Sequence, residues 1–213
     1  HFGGKDFETF RPHNKIDLRK SLGLPKNKKI LIFVGRFMIS DGDLVIEGIS
    51  KLKGLDSIIR VHNKLRKKYN LELVLVGGHP RSQFSQGPII KSGMRILGHL
   101  EQNKVAEYIS ASDAYIYLPW GHERYWAGMG SAPTEALACG VPLVSTGLAN
   151  FPSSEWRKVG EIPINENEVT SCVSKVLDNP KNYDTCRQIA FKYFAWKKKL
   201  YEKYKEYRFK KIK

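Results

Sequence analysis

The chain has 213 residues, 41% of them hydrophobic, and carries 36 Lys and Arg against 21 Asp and Glu for a formal net charge of +15. That length holds one domain with a full core or two small ones, and the hydrophobic share is ordinary for a soluble globular protein. No apolar run approaches the ~20 residues of a membrane-spanning helix, and the opening HFGGKDFETF lacks an apolar signal-peptide core. Cys139, Cys172 and Cys186 are odd in number and lack metal-ligand spacing, so they read as reduced structural thiols of a cytoplasmic protein. Ten Lys and Arg against two Glu fall in residues 192–213, about half of the excess charge. A surface of that kind steers anionic ligands, nucleic acid or acidic lipid, with a solvated lysine-rich helix as the plain alternative. The missing initiator Met points to a piece of something longer.

Residues 1–28 are polar and turn-rich, with a short helix over 16–22 stopped by Gly23 and Pro25. KILIFVG, 29–35, is a continuous β-rich run and predicts a central parallel strand ending in Gly35. Arg36 stands at its carboxyl end, where open α/β sheets place their ligands. After Lys53-Gly54, the positions Leu55, Ile58, Ile59, Val61, His62 and Leu65 give a helical apolar stripe. LELVLV, 71–76, is the next strand and closes in Gly77-Gly78. Residues 79–93 predict a loop with a short helix. MRILG, 94–98, is a third strand, and HLEQNKVAEYISASD follows as a helix with Val105, Ala106 and Ile109 inward.

The organising stretch is DAYIYLPWGHERYWAGMGSAPTEALACGVPLVST, residues 113–146. A buried strand at 114–118 stops at Pro119, and a loop with Gly121, Gly128 and Gly130 follows. Ser131 and Pro133 then start a helix ended by Gly140, and Pro142 opens another buried strand. Such a unit presents backbone N–H groups and a helix N-terminus to an anion, and glycine permits the close approach. No phosphate-binding G-x-x-x-x-G-K-[ST], no G-x-G-x-x-G after a strand and no His/Cys/Asp cluster is present, which disfavours mononucleotide P-loop, dinucleotide and metal chemistry. Strands and helices alternate throughout. That pattern predicts an α/β, Rossmann-like parallel sheet flanked by helices on both faces.

GMGSAPTEALACGVPLVS resembles the nucleotide-sugar site of the GT-B glycosyltransferases, specifically the retaining family 4, whose pattern here is E-G-F-G-x-x-x-x-E-A-x-A-x-G-x-P-V-V. Glu135 falls on the second glutamate, and Ala127 stands where the first should be. VGRF resembles the family's V-G-R-L, and MRILG its V-x-F-L-G, whose backbone edge reads the nucleobase. Its Lys-Gly pair is matched by Lys53-Gly54, displaced by an insertion at 38–50, with Lys51 as the rival. FAWKKKLYEKYKEY matches the closing helix, including Trp196 and Tyr204. GLANFPSSEW keeps Gly147 and, loosely, Glu155 of a Gly-Gly-x-x-E turn. The resemblance covers nearly all of residues 6–207 and implies one half of a GT-B fold. It divides the chain into an interdomain linker and leading helix at 1–28, a nucleotide-sugar-binding domain at 29–191 and a basic helix or tail at 192–213.

The resemblance implies retaining, metal-independent hexosyl transfer from a UDP- or GDP-sugar, with no cofactor and with the amino-terminal acceptor domain absent from this chain, so that the fragment alone transfers little. The catalytic set it implies is Arg36, Lys53 and Glu135. Arg36 and Lys53 would hold the diphosphate, a task suited to a guanidinium fork, and Glu135 the ribose hydroxyls. Gly35, Gly77, Leu97, Gly128, Met129, Gly130 and Ser131 would complete the donor site. Ala127 leaves four readings open: Glu123 or His122 reaches in, the sugar is held differently, the domain binds without turnover, or the register slips. Trp120, Tyr125 and Trp126 suit a sugar subsite and core packing equally. Rivals are a regulatory nucleotide-sugar-binding module, a basic nucleic-acid-binding protein and a GT-B-like epimerase. Nucleic acid is the less expected partner, and the basic surface also offers peripheral contact with an acidic membrane.

Overall fold

A computed structural model describes residues 6–40, 43–45, 53–78, 89–120, 131–147 and 151–195, with 38–40 and 43–45 as backbone only. In chain order come α1 (Lys15–Ser21), β1 (Lys29–Gly35), β2 (Met38–Ser40), β3 (Asp43–Val45), α2 (Leu55–Leu65) and β4 (Leu71–Gly77). Then follow β5 (Ile89–Lys91), β6 (Met94–Leu97), α3 (Gln102–Ser110), β7 (Ala114–Tyr117), α4 (Ser131–Ala138) and β8 (Leu143–Ser145). The last elements are β9 (Gly160–Glu161), α5 (Glu166–Asp178) and α6 (Cys186–Phe194), with short 3₁₀ turns at Ser153–Lys158 and Pro180–Tyr183.

Seven strands form one sheet in the order β5-β6-β4-β1-β7-β8-β9, and β2 pairs with β3 separately. Ile30, Leu31, Ile32 and Phe33 of β1 are all fully buried, as a strand covered on both faces requires. Helices α2 and α5 pack together on one face, while α1, α3, α4 and α6 form the other layer through successive contacts. The sheet is parallel except at one edge. β5 runs antiparallel to β6, joined by Ser92 (φ 53°) and Gly93 (φ 78°), the paired positive φ of a two-residue hairpin turn. So the described end of the segment expected as loop and short helix is an edge strand; residues 79–88 lie outside the described residues. The excursion after Arg36 begins as the antiparallel β2–β3 pair.

Strand order reverses at the centre. The chain leaves β1 to one side for β4 and β6, then crosses back beyond β1 to β7, β8 and β9. The gap between the carboxyl ends of β1 and β7 is therefore the topological switch point, where sheets of this kind bind ligands.

The opposite end of the sheet is tied by Asp113, just before β7. Its carboxylate accepts from Ile30 N (2.7 Å) and pairs with Arg19 (2.7 Å) and Lys15 (3.1 Å) of α1. Arg19 also donates to the carbonyls of Ala111 and Lys28, both at 3.0 Å. Burial alone would raise the Asp113 carboxyl, but the Lys15 and Arg19 cations outweigh it and hold its pKa below the usual value. His62 on α2 is fully buried beneath the β5–β6 turn, and neither ring nitrogen has a hydrogen-bond partner. The Leu71 and Gly93 carbonyls lie nearby and Arg66 and Glu72 face it, yet burial dominates and lowers its pKa. Among the described residues no helix is long and apolar enough to cross a membrane.

Two outcomes follow for stability. Asp113→Ala strands the buried Arg19 and should lower urea-derived stability by about 3 kcal/mol. In the native chain the Asp113 contribution is complete above the unfolded carboxyl pKa of ~3.9 and fades as pH falls through the lower folded value. His62 acts in a separate window. Because folding favours its neutral form, stability should fall as pH drops below ~6.5, and His62→Leu should flatten the profile between about pH 7 and about pH 5. An unchanged slope in that variant would clear His62 of the effect.

Candidate functional site

Two glycine-ended strands make the shelf of the switch point. Gly35 pairs with Gly77 in the parallel register, and Gly78 N donates to Gly35 O (3.3 Å). Gly77 has φ 121°, and a Cβ there would collide with the Gly35 carbonyl, so a side chain at this position would force the strand ends apart. Leu97 lies buried on β6, paired with Val76, and beside it Gly98 O accepts from Gly77 N (3.2 Å). Its side chain belongs to the core, leaving only backbone to face a ligand.

The Lys53-Gly54 turn closes the shelf from the β7 side. Gly54 adopts φ 72°, and any Cβ would meet the Leu118 carbonyl. Leu118 N in turn donates to Lys53 O (3.4 Å). With its backbone thus fixed to the end of β7, Lys53 sends its Nζ across to β1, where it would lie 3.3 Å from a Cβ on Gly35. Arg36, exposed, follows directly, and Phe37 behind it is buried. Burial first, and the Arg36 charge second, lower the Lys53 pKa. Among the described residues no carboxylate pairs with either cation. Helix α2 starts at this turn with no side-chain cap, so its first N–H groups add to the positive field.

Glu135 is half-buried on α4, whose amino end follows the loop leaving β7. Burial chiefly, and the Glu135 charge least among the causes, raise the pKa of Cys139 and of the fully buried Tyr115. The Tyr115 hydroxyl donates to Val34 O (3.2 Å), two residues before Arg36. The helix that carries Glu135 packs against β7 and β8. Ser131 is the exposed first residue of α4. Lys51, His122, Glu123, Tyr125, Trp126, Ala127, Gly128, Met129, Gly130, Trp196 and Tyr204 lie outside the described residues. Among the described residues no group of His, Cys, Asp or Glu could hold a metal ion.

Trp120 opens that loop half-buried against the core, its Nε1 donating to Ser57 Oγ (3.3 Å). Ser57 donates to Glu166 (2.8 Å), which also takes Arg60 (2.9 Å). This chain links the loop to the first turns of α2 and α5. Nothing in the sequence signalled it, because its members are far apart and of ordinary type. Glu155 is bound to Lys158 (3.0 Å), Lys192 (3.2 Å) and Tyr193 (3.2 Å), which hold its pKa down and anchor α6.

The family described as Glycosyl transferases group 1 matches residues 14–192. Among curated proteins, an uncharacterized glycosyltransferase of Methanocaldococcus jannaschii is 24% identical over 172 residues, 78% of this chain and 40% of that protein. D-inositol 3-phosphate glycosyltransferase 2 of Catenulispora acidiphila is 28% identical over 165 residues, 71% of this chain and 35% of that protein. The chain thus spans well under half the length of these relatives. Among solved structures, the C-terminal domain of the group 1 family protein LpcC from Francisella tularensis superposes with a TM-score of 0.62 at 17% identity, covering 89% of this chain and 95% of that one. Anabaena HepE, in complex with UDP-glucose, superposes with a TM-score of 0.63 at 16% identity, covering 90% of this chain and 52% of that one. Both superpositions show the fold: this chain has the architecture of one GT-B half.

Gly54→Ala tests the turn. The added methyl must displace the Leu118 carbonyl and abandon φ 72°, so thermal stability should fall by the equivalent of 2 kcal/mol or thereabouts, roughly the sum of strain and repacking. A melting temperature equal to the parent's would show that the turn is not held as described.

Proposed function

The chain belongs to the group 1 glycosyl transferases, and from that premise we propose that it is the donor half of a retaining GT-B enzyme, binding a UDP- or GDP-sugar at the switch point. The observation that carries the reading is the convergence of Lys53 Nζ on Gly35 beside Arg36. Two like charges, one half-buried, repel each other and are stabilised when a polyanion arrives. As the bond from the sugar to the diphosphate breaks, negative charge grows on phosphate oxygen. Fixed cations and the α2 amino terminus then serve where other enzymes use a metal ion. Glu135 accepts hydrogen bonds from the ribose hydroxyls. The binding unit spans 29–191, and an acceptor domain elsewhere in the protein completes the cleft, in keeping with the share of its relatives that this chain covers. Ala127 favours a second reading, a module that binds the donor without transfer.

Calorimetry with UDP- and GDP-sugars distinguishes these from no site at all. Binding of one donor class is expected, weakened on the order of 10- to 100-fold by Arg36→Ala or Lys53→Ala, as loss of a charged hydrogen bond implies. Glu135→Gln should cost about 10-fold. Affinity indifferent to all three changes would remove the site; transfer by the full-length protein would remove the binding-only reading.

A further inference from the structure

The end of the sheet remote from the cation pair has its own chemistry. It is assembled from α1, which Lys15 and Arg19 hold to Asp113, the turn before β1, the turn after α2 and the β5–β6 hairpin. Arg95 donates to Gly23 O (3.1 Å), Asn70 to Asn27 O (3.4 Å) and Arg66 to Ser92 O (2.7 Å), and Lys28 pairs with Glu72 (3.4 Å), so these segments form one continuous face. The arginines are spent inside it. Arg19, Arg66 and Arg95 each bond backbone carbonyls, and Arg19 and Arg95 also pair with Asp113 and Glu72. The lysines point the other way: Lys20, Lys26, Lys64, Lys67 and Lys68 are all exposed, Lys68 with its Nζ 4.7 Å from the centre of the Tyr69 ring. The nearby acids Glu72 and Asp113 are neutralised by these inner pairs, which leaves Asp17 on α1 and Asp178, bonded to Tyr69, as the exposed carboxylates close to these lysines. Two of the four exposed large hydrophobic side chains of the described residues also lie here, Ile16 on α1 (69% exposed) and Ile90 on β5 (63%).

We propose that this face docks on the surface of an anionic lipid bilayer. Outward ammonium groups are point charges on flexible stems, suited to a diffuse negative potential rather than to a fixed phosphate or a base edge. Nucleic acid would be met by outward guanidinium forks or stacking rings, yet the arginines are turned inward. The local aromatic, Tyr69, is half-buried and bonded to Asp178 (2.8 Å). Exposed isoleucines beside lysines match the interfacial pattern of apolar anchors within a cationic rim. Docked this way, the face turns the switch-point crevice toward water, whatever the crevice binds.

Sedimentation with phosphatidylcholine vesicles containing about one-third phosphatidylserine, against phosphatidylcholine alone, tests it. Selective binding to the acidic vesicles is expected. Replacing Lys26, Lys67 and Lys68 together by Gln should weaken it on the order of 100-fold, since each lysine near an acidic leaflet contributes about five-fold. Every position is exposed, so a circular-dichroism melt should match the parent. Charge-matched replacement of Lys210, Lys211 and Lys213 by Gln should weaken binding less. Ile16→Ser with Ile90→Ser should reduce the binding that survives about 0.5 M salt, where exposed charges are screened. No preference for acidic vesicles, equal loss from the tail variant, or a tighter complex with short RNA or DNA lost through the same lysines would each overturn the proposal.

Discussion

At the carboxyl end of the sheet the backbone of Gly54 lies against the carbonyl of Leu118, too close for any Cβ. That approach fixes which way Lys53 can face. Its carbonyl is engaged by Leu118 N, so its side chain runs toward β1 and reaches the glycine that ends it. A residue with a Cβ at 54 would hold the turn off β7; a side chain at 35 would meet the Phe33 ring and the lysine itself. Two glycines, one per side of the switch point, thus bring an ammonium group and the Arg36 guanidinium together without a described carboxylate to relieve them. Folding alone gains nothing from such an arrangement. Perturbed charge at the carboxyl ends of an open sheet's central strands is a physical mark of a ligand site.

The frame that tolerates this repulsion is secured at the other end. Asp113 gathers Lys15, Arg19 and the Ile30 amide, locking the leading helix to the first and central strands. Consecutive apolar residues on β1 and β4, covered on both faces, supply the bulk of the core. The two ends divide the labour. Buried ion pairs and inward arginines make the amino end rigid, and at the carboxyl end two glycine-ended strands lie beside a helix without a side-chain cap.

Most of the frame was legible because its signals are local. Unbroken apolar runs marked β1 and β4, and Pro119, Pro133, Gly140 and Pro142 bracketed the strand–helix–strand unit around α4. Lys53 was legible only through the Lys-Gly pair, since its register depends on the length of an intervening excursion. The structure supplies the reason for that pairing. What escaped was non-local or weakly patterned. β5 is three residues of an edge strand, IIK, too short to show a period, and its hairpin rests on Ser92 and Gly93 rather than on an Asn-Gly turn. The Trp120–Ser57–Glu166 chain joins residues far apart in sequence, whose types suit any surface. Glu155 resembles the acid of a family turn, and its bonds to Lys158, Lys192 and Tyr193, none of which the sequence signalled, also give it a bracing role.

The site depends most on Lys53 standing half-buried beside Arg36, and its ionisation can be read directly. In selectively labelled protein, NMR titration of the lysine side chains should show one resonance, absent in Lys53→Arg, ionising below the rest. Saturating UDP should move that pKa upward, as a diphosphate restores the charged form. A Lys53 that titrates with the surface lysines and ignores UDP would contradict the convergence of cations on which the donor site rests.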